Sequence, residues 1–135
     1  MKNLVIILGI TVSILLTGCR KQAAYAKLVA HTKTDVAISQ AVCYAILDTD
    51  KGTNSVFTVT EIWKGSDDGS TLGITNGTQI YSLEPVPADS PDRAILVFSQ
   101  GATTTKPQGA MSAIFVRHGR VLDMTIQEFK KKIGL

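Results

Sequence analysis

The sequence predicts a mainly β domain, a small antiparallel barrel of five or six strands with a C-terminal helix. Three observations carry that expectation. Short runs rich in β-branched and aromatic residues recur between positions 35 and 122, separated by clusters of Gly, Asn, Asp and Pro. Pro85, Pro87 and Pro91 fall close together, which marks an exposed connection, since a ladder interior has no place for residues that lack the N–H donor. Thr125-Ile126-Gln127-Glu128 has the form of a capping box, and Ile126, Phe129 and Ile133 after it make the apolar stripe of a final helix.

The elements follow in order. Residues 35–48 place Val36, Ile38, Val42, Tyr44 and Ile46 on one period-2 face, with Gln40 the exception. This predicts a long strand with a bend near 39–41 and puts Cys43 on the opposite face. The turn cluster 48–54 leads into a β-rich run over 55–63, so the two strands are expected to form a hairpin. Residues 64–69 break the pattern, 71–75 read equally as strand or loop, and Asn76-Gly77 is a turn before a strand over 78–84. The run 93–100 is the most apolar, which predicts a central strand buried on both faces with Ile95, Leu96, Val97 and Phe98 in the core. After a polar loop at 101–109, strands over 111–117 and 120–122 flank His118-Gly119, a two-residue turn in which Gly119 takes positive φ. Lys130, Lys131 and Lys132 fall in the last turn of the final helix, where they suit its dipole.

Composition narrows the function classes. With 44% hydrophobic and 19% charged residues in 135, the chain folds, and as one domain. Fourteen basic against eleven acidic residues give +3, spread along the chain, so no nucleic-acid footprint is expected. Two cysteines and two histidines are too few for a Cys/His structural metal cluster, and no Gly-rich phosphate loop is present. No cofactor and no metal are expected.

The first segment is the most specific. Lys2 provides a positive start, and residues 4–16 are apolar apart from Gly9, Thr11 and Ser13, the length of a secretory leader and too short to span a bilayer. The run closes with Leu16-Thr17-Gly18-Cys19, which resembles the lipobox of bacterial lipoproteins. The resemblance implies a signal peptide over 1–18, recognised and cut through Leu16, Thr17 and Gly18, and acylation of Cys19 on its sulfur. It also implies a cell-envelope protein anchored to a membrane through lipid, and Arg20 after the cysteine favours the outer membrane facing the periplasm in a Gram-negative organism. Residues 19–34 then read as an acylated N-terminus followed by one short helix or a tether, with Tyr25, Leu28 and Val29 at helical spacing, and 35–135 as the β domain. Lys21, Lys27 and Lys33 read first as a solvated tether and second as lysines favouring anionic headgroups near the anchor.

A second resemblance concerns the domain. Val59-Thr60-Glu61-Ile62-Trp63-Lys64-Gly65, a strand opening at Gly77, and Arg93-Ala94-Ile95-Leu96-Val97-Phe98 look like the strand order of secreted bacterial domains with an OB-like barrel, similar to the tissue inhibitors of metalloproteinases and the netrin module. This implies an OB-like fold over roughly 34–133. It does not imply protease inhibition: those inhibitors present the amine of a disulfide-bonded Cys-x-Cys terminus to zinc, whereas Cys19-Arg20-Lys21 lacks the second cysteine.

Two functions of different class follow. The first is a lipid-anchored binding module whose partner is an envelope protein or a glycan, with Trp63 and Tyr81 as candidate contact residues and the 85–92 loop beside them. Trp63 at a strand end is more often a core plug than a contact residue. The alternative is an envelope hydrolase using Cys43, the one thiol left after acylation, although neither histidine is marked as its partner and a small buried strand residue is the simpler role. His31 among polar neighbours and His118 in a turn are assigned no chemistry. Asp67, Asp68, Asp89 and Asp92 fall in turns, and Asp48, Asp50 and Asn54 lack the spacing of an EF-hand loop. Asn76-Gly77-Thr78 matches a glycosylation sequon but is explained as a turn.

Overall fold

The computed structural model describes residues 2–48, 55–65, 72–83, 87–89, 91–102 and 111–135, with side chains from Arg20 onward. Helix α1 (Lys2–Ile38) precedes strands β1 (Ala41–Asp48), β2 (Ser55–Lys64), β3 (Gln79–Ser82), β4 (Arg93–Phe98) and β5 (Met111–Val116). A small hairpin, β6 (Arg120–Val121) and β7 (Met124–Thr125), leads into helix α2 (Ile126–Lys132). The fold is mainly β, as the sequence predicts. Five antiparallel strands form one curled sheet in the order β3-β2-β1-β4-β5, the half-barrel of an OB-like fold with a C-terminal helix. Among the described residues no ladder joins β3 to β5, so these two strands are the sheet's edges.

The centre of the sheet is β1. It pairs with β2 on one side and β4 on the other, and its side chains alternate between two cores. Ala41, Cys43, Ala45 and Leu47 face the interior of the curl with Phe57, Val59, Leu96 and Phe98. Val42 and Tyr44 face the helices with Ile95, Val97, Val116, Phe129 and Ile133. Between Val42 and Cys43 the register skips Trp63, and between Tyr44 and Ala45 it skips Thr60, so β2 carries two bulges, which sharpen its twist and bend it around β1. Strand β4 is buried on both faces as expected, with Ile95, Leu96, Val97 and Phe98 all buried, but it lies beside the centre and not at it.

The long strand predicted from residue 35 starts instead at Ala41, because 35–38 complete α1. The reason is non-local. Lys64 Nζ, from the end of β2, donates to the carbonyls of Val36 at 2.6 Å and Ala37 at 3.3 Å and lies 3.4 Å from Ser39 Oγ. Terminal helix carbonyls have no partner of their own, and a cation there also matches the negative end of the dipole. Gly65 completes the corner: with φ of +87°, it brings its backbone so close to Gln40 and Ala41 that a Cβ would lie 3.0 Å from the Gln40 carbonyl oxygen. The stretch read as a short helix or tether is helix, and Thr32 and Val36 on it are buried, with Val29 packed on the same core.

Other local expectations hold. The β1–β2 hairpin is present, Gly77 takes φ of 90° in its turn, and residues 72–75 are loop, with Leu72 and Ile74 buried in the inner core. His118 and Gly119 both take positive φ, 52° and 71°, which is the two-residue hairpin turn whose twist matches its strands. The capping box is complete: Thr125 Oγ1 accepts from Glu128 N at 3.2 Å, and Thr125 N donates to Glu128 Oε2 at 2.9 Å.

Removing either half of the corner at α1 is expected to be costly. Lys64→Met loses about 2 kcal/mol through the unmade charged hydrogen bonds, and Gly65→Ala loses about 2 kcal/mol because its backbone lies in the left-handed region. Urea unfolding followed by circular dichroism measures both; losses below about 0.5 kcal/mol, the range of ordinary surface changes, would show that α1 ends without this cap.

Candidate functional site

Three places carry the side chains that sequence reasoning singled out or that the fold assembles. The first is an aromatic column on the helix-facing side of the sheet. Trp63 from β2 stacks on Tyr44 from β1, ring centroids 5.3 Å apart and planes at 12°. Lys130 Nζ from α2 lies 4.8 Å from the Trp63 ring centroid, and Arg93 from β4 stands 5.7 Å from that of Tyr44. The indole Nε1 donates to Glu61 Oε2 at 2.9 Å. Burial raises the Tyr44 pKa above the usual phenol value, with Arg93 opposing the shift. Stacked rings between two cations form a cation–π array, and it joins β1, β2, β4 and α2. Trp63 is thereby half-buried with its ring engaged, the plug role of the two the sequence allowed.

Tyr81 is elsewhere. It pairs in register with Val56 at the start of β2, and seven residues of strand separate Val56 from Trp63, about 23 Å at 3.3 Å per residue. Its ring is 54% exposed and its hydroxyl donates to Gln79 Oε1 at 3.0 Å. Leu83 beside it is 70% exposed. The structure does not bring Trp63 and Tyr81 together. Of the adjacent connection, Pro91 is buried, Leu47 N donates to the Asp92 carbonyl at 3.0 Å, and Asp89 is paired with Arg117, whose guanidinium holds its carboxyl below the usual range. Positions 84–86 and 90 lie outside the described residues.

The third place is one that sequence reasoning missed, a groove of about 590 Å³ between α1 and the α2 region. Ala26, Val29 and Ala30 line it from α1 and Met124 from β7, with Lys33 and Lys132 also on its walls. Tyr25 donates its hydroxyl to Asp123 Oδ2 at 2.9 Å, and that hydrogen bond raises the Tyr25 pKa. The signal was in the sequence, since Tyr25, Ala26, Val29, Ala30 and Lys33 continue the helical spacing begun by Tyr25 and Val29. The facing wall, nearly a hundred positions away, was not.

The remaining candidates are dispersed. Cys43 is fully buried among small residues of the inner core, and burial pushes its thiol up to about 12, so the thiolate a hydrolase would need is not populated near neutral pH. His31 is exposed and pairs with Asp35 one turn on at 3.2 Å. Asp48 ends β1, while Asp50, Asn54, Asp67 and Asp68 lie outside the described residues. Among the described residues no three His, Cys, Asp or Glu side chains cluster to hold a metal ion, and no helix is long and apolar enough to cross a membrane. Cys19, Leu16, Thr17 and Gly18 fall within α1. The chain matches no protein-family model, no characterised protein and no solved structure.

Two measurements follow. Trp63→Ala is expected to lose about 3–5 kcal/mol, the cost of emptying a large aromatic site; a fully stable variant would return Trp63 to the surface. Native Cys43 is expected to react with thiol reagents only as fast as the chain unfolds, which pulsed labelling across a urea series reads out, and rapid labelling of the folded chain would reopen its chemistry.

Proposed function

We propose that this chain is a lipid-anchored bacterial envelope lipoprotein whose OB-like domain is a binding module for an envelope protein or a glycan. The observation that carries the reading is Leu16-Thr17-Gly18-Cys19 at the end of the apolar run 4–16, the pattern of a lipobox. In this reading Cys19 carries the acyl chains, which hold the protein on the bilayer without crossing it. Arg20 after it favours the outer membrane facing the periplasm where the organism has one.

The arrangement of side chains supports binding over catalysis. Cys43 is packed away, and His31, paired with Asp35, and His118 stand apart on the surface. What the domain offers to a partner is the exposed apolar end at β3, where Tyr81 and Leu83 project. A tyrosine with an apolar body and a polar tip suits either a protein hot spot or a sugar face. The likeness to the netrin and metalloproteinase-inhibitor modules remains part of this proposal as architecture; the inhibitory chemistry does not.

The anchor is tested by mass spectrometry of the envelope fraction: the wild-type chain is expected to begin at Cys19 with an acyl increment, and Cys19→Ala to lose it and leave the membrane. A mature chain with an unmodified thiol would overturn the lipoprotein reading. The contact surface is tested by a photoreactive residue at position 81 in living cells. A discrete adduct, lost in Leu83→Ala while thermal stability stays within about 0.5 kcal/mol, is expected; no adduct with any protein or glycan would exclude this end of the sheet.

A further inference from the structure

The groove between α1 and the α2 region has a composition that the binding-module reading does not use. Its floor is apolar, Ala26, Val29, Ala30 and Met124, and Lys33 and Lys132 stand on its walls. Among the described residues no carboxylate lines it. Asp123, which accepts the Tyr25 hydroxyl, stands beside it. Residues 22 to 33 span its length along α1, about 16 Å at 1.5 Å per residue. Charge on the two helices is predominantly basic. From Arg20 to its end α1 holds Arg20, Lys21, Lys27 and Lys33, all four exposed, against one acidic residue, Asp35, which pairs with His31. On α2, Lys131 and Lys132 are exposed while Lys130 is committed to Trp63 and Glu128 to the capping box.

An apolar strip between basic side chains fits the interface of an anionic bilayer, where the strip enters the boundary of the acyl region and lysine stems reach up to the phosphates. Position 19 lies one helical turn before Gln22, the first residue of the groove. We propose that this groove is a docking surface for the anionic bilayer into which Cys19 is anchored, so that α1 lies along the membrane and the domain is held in one orientation. The proposal rests on the lipoprotein reading for its anchor. Lys33 and Lys132 face the lipid phosphates; Asp123 keeps its charge while it accepts the Tyr25 hydroxyl, and the two lysines of the groove outnumber it.

The test uses the acylated full chain with Ala30→Cys carrying a small bimane label, eleven residues from the anchor. Cys43 is buried and the Cys19 sulfur is acylated, so the label goes to one place. In vesicles of phosphatidylcholine with phosphatidylglycerol, lipid-borne nitroxide is expected to quench the label, and in phosphatidylcholine alone to quench it far less. A label at His31→Cys, on the other flank of α1, is expected to stay open to aqueous iodide. Lys33→Gln and Lys132→Gln are each expected to lower the docked fraction relative to undocked by about fivefold, with unchanged circular dichroism. Quenching that is equal in the two vesicles would overturn the docking, as would a label shielded from both nitroxide and iodide, which would put a protein, such as a second copy of this chain, in the groove. The mass of Cys19 is read on the same sample, so an unmodified cysteine overturns the anchor itself, whereas an acylated chain with an unquenched label overturns the docking alone.

Discussion

The ammonium group of Lys64 on the last carbonyls of α1 is the contact on which the rest of the structure depends. Helix α1 has to stop and β1 has to begin within two residues, Ser39 and Gln40. Gln40 N donates to the Phe98 carbonyl, and its side-chain amide reaches the carbonyls of Ser99 and Ala102, so the same corner is held from β2 by Lys64 and from the end of β4 by Gln40. Since β1 is the central strand, this corner sets its register against both neighbours. A slip of one residue would exchange its two faces, sending Cys43, Ala45 and Leu47 toward the helices and Val42 and Tyr44 into a space filled by Phe57 and Phe98.

That exchange would fail on volume. The interior of a curled sheet is crowded at its centre, and β1 meets it with Ala41, Cys43 and Ala45, leaving the space to Phe57, Phe98 and, from the rim, Phe115. The opposite face takes the larger Val42 and Tyr44 and needs a cover. Helix α2, at seven residues, is too short to be stable alone and covers only part of it with Phe129 and Ile133. Val29 and Val36 of α1 supply the remainder. The residues before 35 are therefore part of the domain's core and not only a spacer leading to it. Cys43 belongs to the same account: it is a residue of the right size for a crowded position.

How much of this was legible in the sequence follows from how local each determinant is. The capping box, the His118-Gly119 turn and the run 93–98 are each specified within a few residues, and each forms as read. The segment 35–38 was misread because Val36 suits both a strand alternating with Ile38 and a helix continuing the spacing of Tyr25, Val29 and Thr32; Lys64, 28 positions from Val36, decides between them. The β6–β7 hairpin escaped notice because its turn uses Leu122 at φ of 56°, where no glycine or asparagine announces it. Trp63 and Tyr81 were alike as sequence features. Only the stack of Tyr44 and Lys130 on one, and the 54% exposure of the other, separates a packed ring from an exposed one. The groove was out of reach for the same reason, since its two walls meet through a Tyr25–Asp123 bond spanning 98 positions.

Holding α1 against the domain has a mechanical consequence. A domain on a flexible linker samples every orientation its linker length allows. Here the helix is bound by Tyr25 to Asp123 toward one end and by Lys64 at the other, so the residues from 25 onward turn with the domain as one body. The faces are then sorted by what covers them. The helix-facing core draws on β1, β2, β4 and β5 and includes no residue of β3, so the helices pack on one side of the sheet, and among the described residues β3 is one of its edges. On the proposed reading, an anchor that enters through α1 would bring the basic side toward the lipid and leave the edge bearing Tyr81 for a partner. Affinity at such an edge benefits from the fixed presentation, because less orientational freedom is lost on binding. The corner at Lys64 thus connects the start of a strand to the direction in which the whole domain faces.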